Sequence, residues 1–258
     1  MKAILVAPLG LLIGVLMGAL GAGGSLLAVP MLVYLVDQGV REAQATSLVI
    51  VIVAALVSLA AHHEADNLRL RAGAAFGLAA GLSALGGSLL NRALDPNLLL
   101  LCFAPLMVAG AYAMVSRTAR RPAQFRPWRL GIERSSVVSV VAYGLLVGWI
   151  IGLFGVGGGF VIVPVLVLGL RFSMLEAVAT SLLVIVIGSS FALINRLAAG
   201  DVDWAIAVPF SVAAGVGAFV GQRLGGRLGG ERLRQAFAGL IVVTAIYTAV
   251  RSALVLWG

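Results

Sequence analysis

Eight long apolar runs separated by short basic stretches constrain this chain more than any other feature. They span residues 4–36, 43–61, 72–90, 98–116, 135–170, 174–195, 202–224 and 233–256. A soluble domain cannot hide that much apolar surface, so the bilayer must be the solvent for most of the chain. Within hydrocarbon, every backbone N–H and C=O has to be satisfied internally, which leaves helices or closed barrels. Runs of this length suit helices, and an all-α polytopic membrane protein is expected. The chain is 61% hydrophobic and only 11% charged, which excludes a soluble enzyme, a disulfide scaffold and a disordered regulator. At roughly 20 residues per span, 258 residues leave room for about eight segments and no extramembrane domain.

The first and fifth runs are too long for one crossing. A helix over residues 4–36 would be about 50 Å long, against a hydrocarbon core of about 30 Å. Both are broken by glycine in the middle. The one substantial hydrophilic stretch, residues 117–134, holds six arginines and two prolines and reads as a linker. The expected organisation is a first transmembrane repeat over 1–116, a basic cytoplasmic linker over 117–134, and a second repeat over 135–258. The N-terminus carries Lys2 before an apolar run but lacks a convincing cleavage context, so it reads as a retained segment.

The halves repeat without a gap at one constant shift, the one that carries Gly14 onto Gly148. Gly18, Gly21, Gly23, Gly24 and Pro30 then fall on Gly152, Gly155, Gly157, Gly158 and Pro164. Glu42-Ala43-x-Ala45-Thr46-Ser47 falls on Glu176-Ala177-x-Ala179-Thr180-Ser181. Duplicated four-segment halves mark many secondary transporters, whose site lies at the repeat interface. If every run crosses once, Lys and Arg divide 11 to 7 between the two sides; if the first and fifth runs go in and return, they divide 13 to 5. The second arrangement follows the positive-inside rule better and makes the halves inverted repeats. The net charge of +8 belongs to this topology and to anionic headgroups rather than to nucleic acid.

Three features could carry chemistry. The first is the glycine segment, Gly23-Gly24-Ser25 in one half and Gly155-x-Gly157-Gly158-Gly159 in the other. A helix that starts there presents its N-terminus, and with it backbone donors, to a cavity where a small anion could bind. The four-residue spacing of Gly14 and Gly18 reads instead as close helix packing. The second feature is Glu42 with Thr46-Ser47 and Glu176 with Thr180-Ser181. Capping of a first helical turn is the simpler role for the two glutamates, proton coupling the alternative. The hydroxyls either bond their own backbone or donate to an oxyanion. The third is His62 and Arg196, which correspond at the repeat shift, with Asn195 beside the second. Each is either a snorkelling interfacial group or a cation that draws an anion in. The histidines and acids near His62 are too loose for a metal site, no cofactor is indicated, and Cys102, the single cysteine, reads as packing.

On these motifs, and on Gly200-Asp201-Val202-Asp203-Trp204 after the sixth run, the chain resembles the TauE/SafE sulfite exporter family over nearly its whole length. The first half departs from the pattern: Asp66-Asn67-Leu68-Arg69-Leu70 replaces the Gly-x-Val-Asp-Trp element, and Ser25 replaces a glycine. The resemblance implies a secondary carrier in a bacterial plasma membrane, not an enzyme. Its cargo would be a small sulfur anion such as sulfite, sulfoacetate or another organosulfonate, with export favoured. An uptake permease, a channel-like path and a non-transporting membrane partner subunit are the alternatives. With no ATP-binding motif in the sequence, protons or the membrane potential remain as the drive, and self-association into a homo-oligomer stays open.

Overall fold

The computed structural model describes residues 2–61, 68–94, 134–154, 159–198, 200–225, 227 and 230–257, with 99, 102, 105, 108 and 112 singly. Among these the regular structure is entirely helical. Helix α1 is Lys2–Leu20, followed by a 3₁₀ turn over Gly21–Gly24 and by α2, Ser25–Tyr34. Then come α3, Val40–Ala61, and α4, Leu70–Ala93. In the second half, α5 is Arg134–Phe154 and α6 is the short Gly159–Pro164, which runs into a π-helical turn at Val165–Gly169. Next are α7, Met174–Ala198, α8, Trp204–Gly225, and α9, Gly230–Trp257. Among the described residues, five helices are long and apolar enough to cross a bilayer: α3, α4, α5, α7 and α8. Val6–Leu20 is a shorter apolar helix. Most of the fourth apolar run falls outside the described residues.

The packing interlaces the two halves. Helix α1 lies mainly on α8, and α5 lies mainly on α4. Small residues make this possible. A Cβ at Gly14 would fall 2.0 Å from the Ala214 carbonyl oxygen, and one at Gly18 would fall 2.1 Å from that of Ala218. Across the other pair, a Cβ at Gly148 would fall 2.0 Å from the Ala80 oxygen and one at Gly152 2.1 Å from the Ala84 oxygen. These four contacts correspond one to one at the repeat shift. Water drives no hydrophobic association inside a bilayer, so backbone-to-backbone proximity and van der Waals contact hold such helices together.

The same contacts give the helix directions. Gly10, Gly14 and Gly18 meet Phe210, Ala214 and Ala218 in order, so α1 and α8 run the same way. Gly144, Gly148 and Gly152 meet Phe76, Ala80 and Ala84, so α5 runs with α4. Gly73, Gly77 and Gly81 meet Leu183, Ile187 and Phe191, so α4 runs with α7. Asp203 bonds Thr46 while Gly215 lies at Val53 and Val57, so α8 runs with α3. Arg196, near the end of α7, reaches Gln44 at the start of α3, so these two run oppositely. Helices α1, α3 and α8 therefore point one way, and α4, α5 and α7 the other. Each of α1, α3 and α4 opposes its repeat counterpart in the second half, α5, α7 and α8.

Because α1 and α3 are parallel, the segment between them must carry the chain back. The return begins at Gly21, whose φ of +66° is open to glycine at little cost. By Gly24 the backbone lies against α1 itself: a Cβ there would fall 2.6 Å from the Ile13 oxygen and 2.5 Å from the Met17 nitrogen. The bundle thus has a linker end, where α4, α5 and α7 begin, and a far end, where α3 and α8 begin.

Replacing Gly148 by leucine has no room beside Ala80, and we expect it to abolish recovery of folded protein from detergent. Gly239, inside α9, has nothing within 4 Å of where a Cβ would stand, so Gly239→Ala should raise stability by about 0.5–1 kcal/mol. The yield of monodisperse protein in detergent checks the first, and thermal unfolding of the purified variant the second.

Candidate functional site

Among the described residues, polar side chains gather in two clusters, one at each end of the antiparallel pair α3 and α7. At the linker end, α7 opens with a capping box. The Ser173 N–H donates to Glu176 Oε2 at 3.0 Å, and the Glu176 N–H donates to Ser173 Oγ at 3.3 Å. The two otherwise orphaned donors of a helix start are thereby satisfied reciprocally. The other oxygen, Glu176 Oε1, accepts from Arg69 Nε at 2.9 Å and also from Arg69 Nη2. Arg69 comes from the other half and stands at the N-cap of α4, and its backbone N–H donates to Thr180 Oγ1 at 3.2 Å. Glu176 is buried, and Arg69 is about one-third exposed at 34%.

The far-end cluster has the same skeleton with different chemistry. Asp203 is the repeat counterpart of Arg69, and its backbone N–H donates to Thr46 Oγ1 at 3.3 Å. Its carboxylate caps α8, accepting from Ala205 N–H at 3.0 Å and Ile206 N–H at 3.3 Å. It also accepts from Gln38 Nε2 at 3.3 Å. Gln38 is buried. Glu42, the counterpart of Glu176, is exposed and stands three residues after Gly39 rather than after a serine.

Arg196 is buried at 4% exposure, and its Nη2 donates to Gln44 Oε1 at 2.9 Å and to Asn91 Oδ1 at 3.0 Å. Asn91 Nδ2 in turn donates to the Leu153 oxygen at 2.6 Å. Helices α4, α5 and α7 all finish at this place, so three negative helix ends converge beside a guanidinium that complements them. These bonds give Arg196 a structural role. It is buried deep between helices rather than snorkelling at an interface.

The hydroxyl pairs divide. Ser47 Oγ donates to the Gln44 oxygen at 2.8 Å and Ser181 Oγ to the Val178 oxygen at 2.7 Å, each within its own helix. Thr46 and Thr180 instead accept backbone N–H groups from the opposite half and keep an O–H to donate. All four side chains are buried.

The first glycine segment reaches this region. A Cβ at Gly21 would fall 2.8 Å from the Val178 oxygen and 2.9 Å from Ser181 Oγ. The 3₁₀ turn containing Gly23 and Gly24 packs on α6, which begins at Gly159, and on α7. Helix α2 starts at Ser25 with no side-chain cap, and Ser25 is buried. The structure thus brings Gly21–Gly24, Ser25, the start of α6 and Ser181 together across the halves, while Thr180 lies against Arg69 and Gly73 of α4. Gly21 and Gly24 each have a geometric reason to lack a side chain, so glycine at those positions is not by itself a mark of a ligand. Gly155, Gly157, Gly158 and His62 lie outside the described residues, and for Asn195 only its place in α7 is described. Cys102 is exposed rather than packed inside.

Residues absent from the sequence-based set are Arg69, Asp203, Gln38, Gln44 and Asn91. Arg69 and Asp203 carried a signal, since opposite charges stand at one position of the repeat. The other three are single amides that the repeat does not mark.

Interlaced helices, helix breaks inside the bundle and buried polar clusters at both ends make this a polytopic helical membrane transporter. The family model of the sulfite exporter TauE/SafE matches residues 6–248, and the chain belongs to that family. A probable membrane transporter protein of Xylella fastidiosa (strain Temecula1 / ATCC 700964) is 36% identical, covering 94% of this chain and 93% of its own. Probable membrane transporter protein YunE of Bacillus subtilis (strain 168) is 27% identical, covering 81% and 83%. No solved structure matches the chain.

Arg196→Met would leave two buried amide oxygens without their donor and should cost about 2–5 kcal/mol. Glu42→Gln, at an exposed position, should stay within about 0.5 kcal/mol of the parent. Thermal unfolding in detergent reads both, and equal effects would contradict the assigned roles.

Proposed function

We propose that this transporter carries a small sulfur-containing anion, either sulfite, sulfoacetate or another organosulfonate, and exports it. The family supports the sulfur anion and the direction. The observation that carries the reading is the helix break inside the bundle, where the 3₁₀ turn that leads into α2 packs on hydroxyl-bearing α7 of the other half. A half-helix N-terminus favours negative charge through its dipole and its free N–H groups. Such a site holds an anion without a permanent counter-charge, which suits a carrier that must release its cargo. The uptake direction and a channel-like path are the competing readings.

In this reading the chain is organised as a repeat over 1–116, a linker over 117–134 and a repeat over 135–258. The linker end faces the cytoplasm of a bacterial cell. The described arginines support that side. Arg69, Arg71, Arg134, Arg171, Arg223, Arg227, Arg232 and Arg234 stand at the linker end, and Arg41, Arg92, Arg196 and Arg251 at the far end. Protons or the membrane potential supply the drive.

Binding of sulfite and sulfoacetate to purified protein, and their flux in proteoliposomes with and without a pH gradient, test the function. Thr180→Val should weaken binding by about 1–2 kcal/mol, the scale of one hydrogen bond to a charged group. Ser181→Ala, whose O–H already serves its own helix, should change affinity less than twofold. Equal losses in the two variants would move the site away from Thr180.

Topology has its own test. In a background lacking Cys102, a cysteine at Thr118 or Gln124 should resist an impermeant thiol reagent in intact cells, while one at Lys2 should react. The reverse pattern would overturn the orientation.

A further inference from the structure

Arg69 breaks a local rule. An N-cap favours Asp, Asn, Ser or Thr, and the positive end of a helix dipole disfavours a cation. Its repeat counterpart, Asp203, obeys the rule and caps α8 with two backbone hydrogen bonds. Arg69 makes no side-chain cap for α4. Residues that cost local stability without a local return are expected at functional positions. The arginine is also only partly engaged. Both of its described side-chain bonds go to a single oxygen, Glu176 Oε1, rather than to both oxygens of the carboxylate. A guanidinium has five N–H donors, and its planar fork fits two oxygens of one anion. The remaining edge is at a group one-third exposed at the linker end, while Thr180, bonded to the Arg69 backbone, is wholly buried and keeps an O–H to donate.

We infer that Arg69 is an anion-recognising residue at the linker end, and that the Glu176 carboxylate occupies its guanidinium whenever the transported anion does not. This rests on the anion-carrier reading above. The oxyanion takes the two-oxygen fork of Arg69 and the O–H of Thr180, and Glu176 gives way while keeping its capping bonds to Ser173. The anion replaces the carboxylate at the guanidinium, and the displaced Glu176 keeps the backbone hydrogen bond from Ser173 that offsets part of its charge. The far end lacks this exchange because Asp203 stands where Arg69 would.

The alternative is a plain structural tie between α4 and α7. The two are separated by the sign of two substitutions. Under a structural tie, Arg69→Gln and Glu176→Gln break the same bond and shift anion affinity in the same direction. Under exchange they act oppositely, since one removes the receptor and the other removes its competitor. Glutamine at position 176 preserves the capping box, so that variant keeps its fold. Affinity for sulfite and for sulfoacetate is measured on purified full-length protein, with flux in proteoliposomes. We expect Arg69→Gln to weaken binding about tenfold or more, Arg69→Lys to recover part of it, and Glu176→Gln to tighten binding about threefold or more. Shifts of the same sign, or no shift, would overturn the inference while leaving the carrier intact. A parent protein that binds neither anion would overturn the substrate assignment and this inference with it.

Discussion

The structure depends on how closely two backbones can approach in lipid. Gly14 and Gly18 on α1, and Gly148 and Gly152 on α5, bring helices of opposite halves within 2.0–2.1 Å of where a side chain would start. Water supplies no squeezing force there, and dispersion falls off steeply with separation. Larger residues at these four positions would remove the contact area that joins the halves. The rest follows from that junction. Each half's first helix is committed to the other half's third long helix, and α3 and α7 pack on each other in opposite directions. The glycine turn then has to fold back beneath α7.

That placement sets the chemistry. Two helix starts and two clusters of hydroxyls are held by backbone contacts from the opposite half, so the two halves cannot shift without changing them. Thr46 and Thr180 are the joints, each bonded to an N–H of the other half. The far-end joint carries a carboxylate that stabilises its own helix, and the linker-end joint carries an arginine that does not. An inverted duplication makes two equivalent ends. The difference between Arg69 and Asp203 at one repeat position makes them chemically distinct.

Much of this was legible in the sequence. The apolar runs dictated helices, and the gapless shift that carries Gly14 onto Gly148 points to a duplication without any contact being known. The arginine distribution favoured a returning first segment, and the parallel course of α1 and α3 agrees with it. The site was legible only in part. Glu176 as a cap could be read from its place in a first turn, but its partner Arg69 lies 107 residues away and no local pattern joins them. Arg196 was visible as a charge in an apolar setting. That three helix ends converge on it follows from tertiary packing alone. Gly24 reads in the sequence as ligand-facing because glycine exposes backbone; its close approach to α1, like that of Gly21 to α7, is a tertiary contact that no local pattern shows.

In the proposed mechanism the crossed halves alternate around a bound anion rather than lining an open path. Counterflow tests this directly. Proteoliposomes loaded with unlabelled sulfite are diluted into a trace of labelled sulfite. A carrier that releases unlabelled anion outside rebinds label there and returns with it, so outward flow of one drives inward flow of the other. Label inside is therefore expected to rise transiently above its equilibrium level and then fall. A monotonic approach to equilibrium, at a rate unaffected by internal sulfite, would contradict alternation.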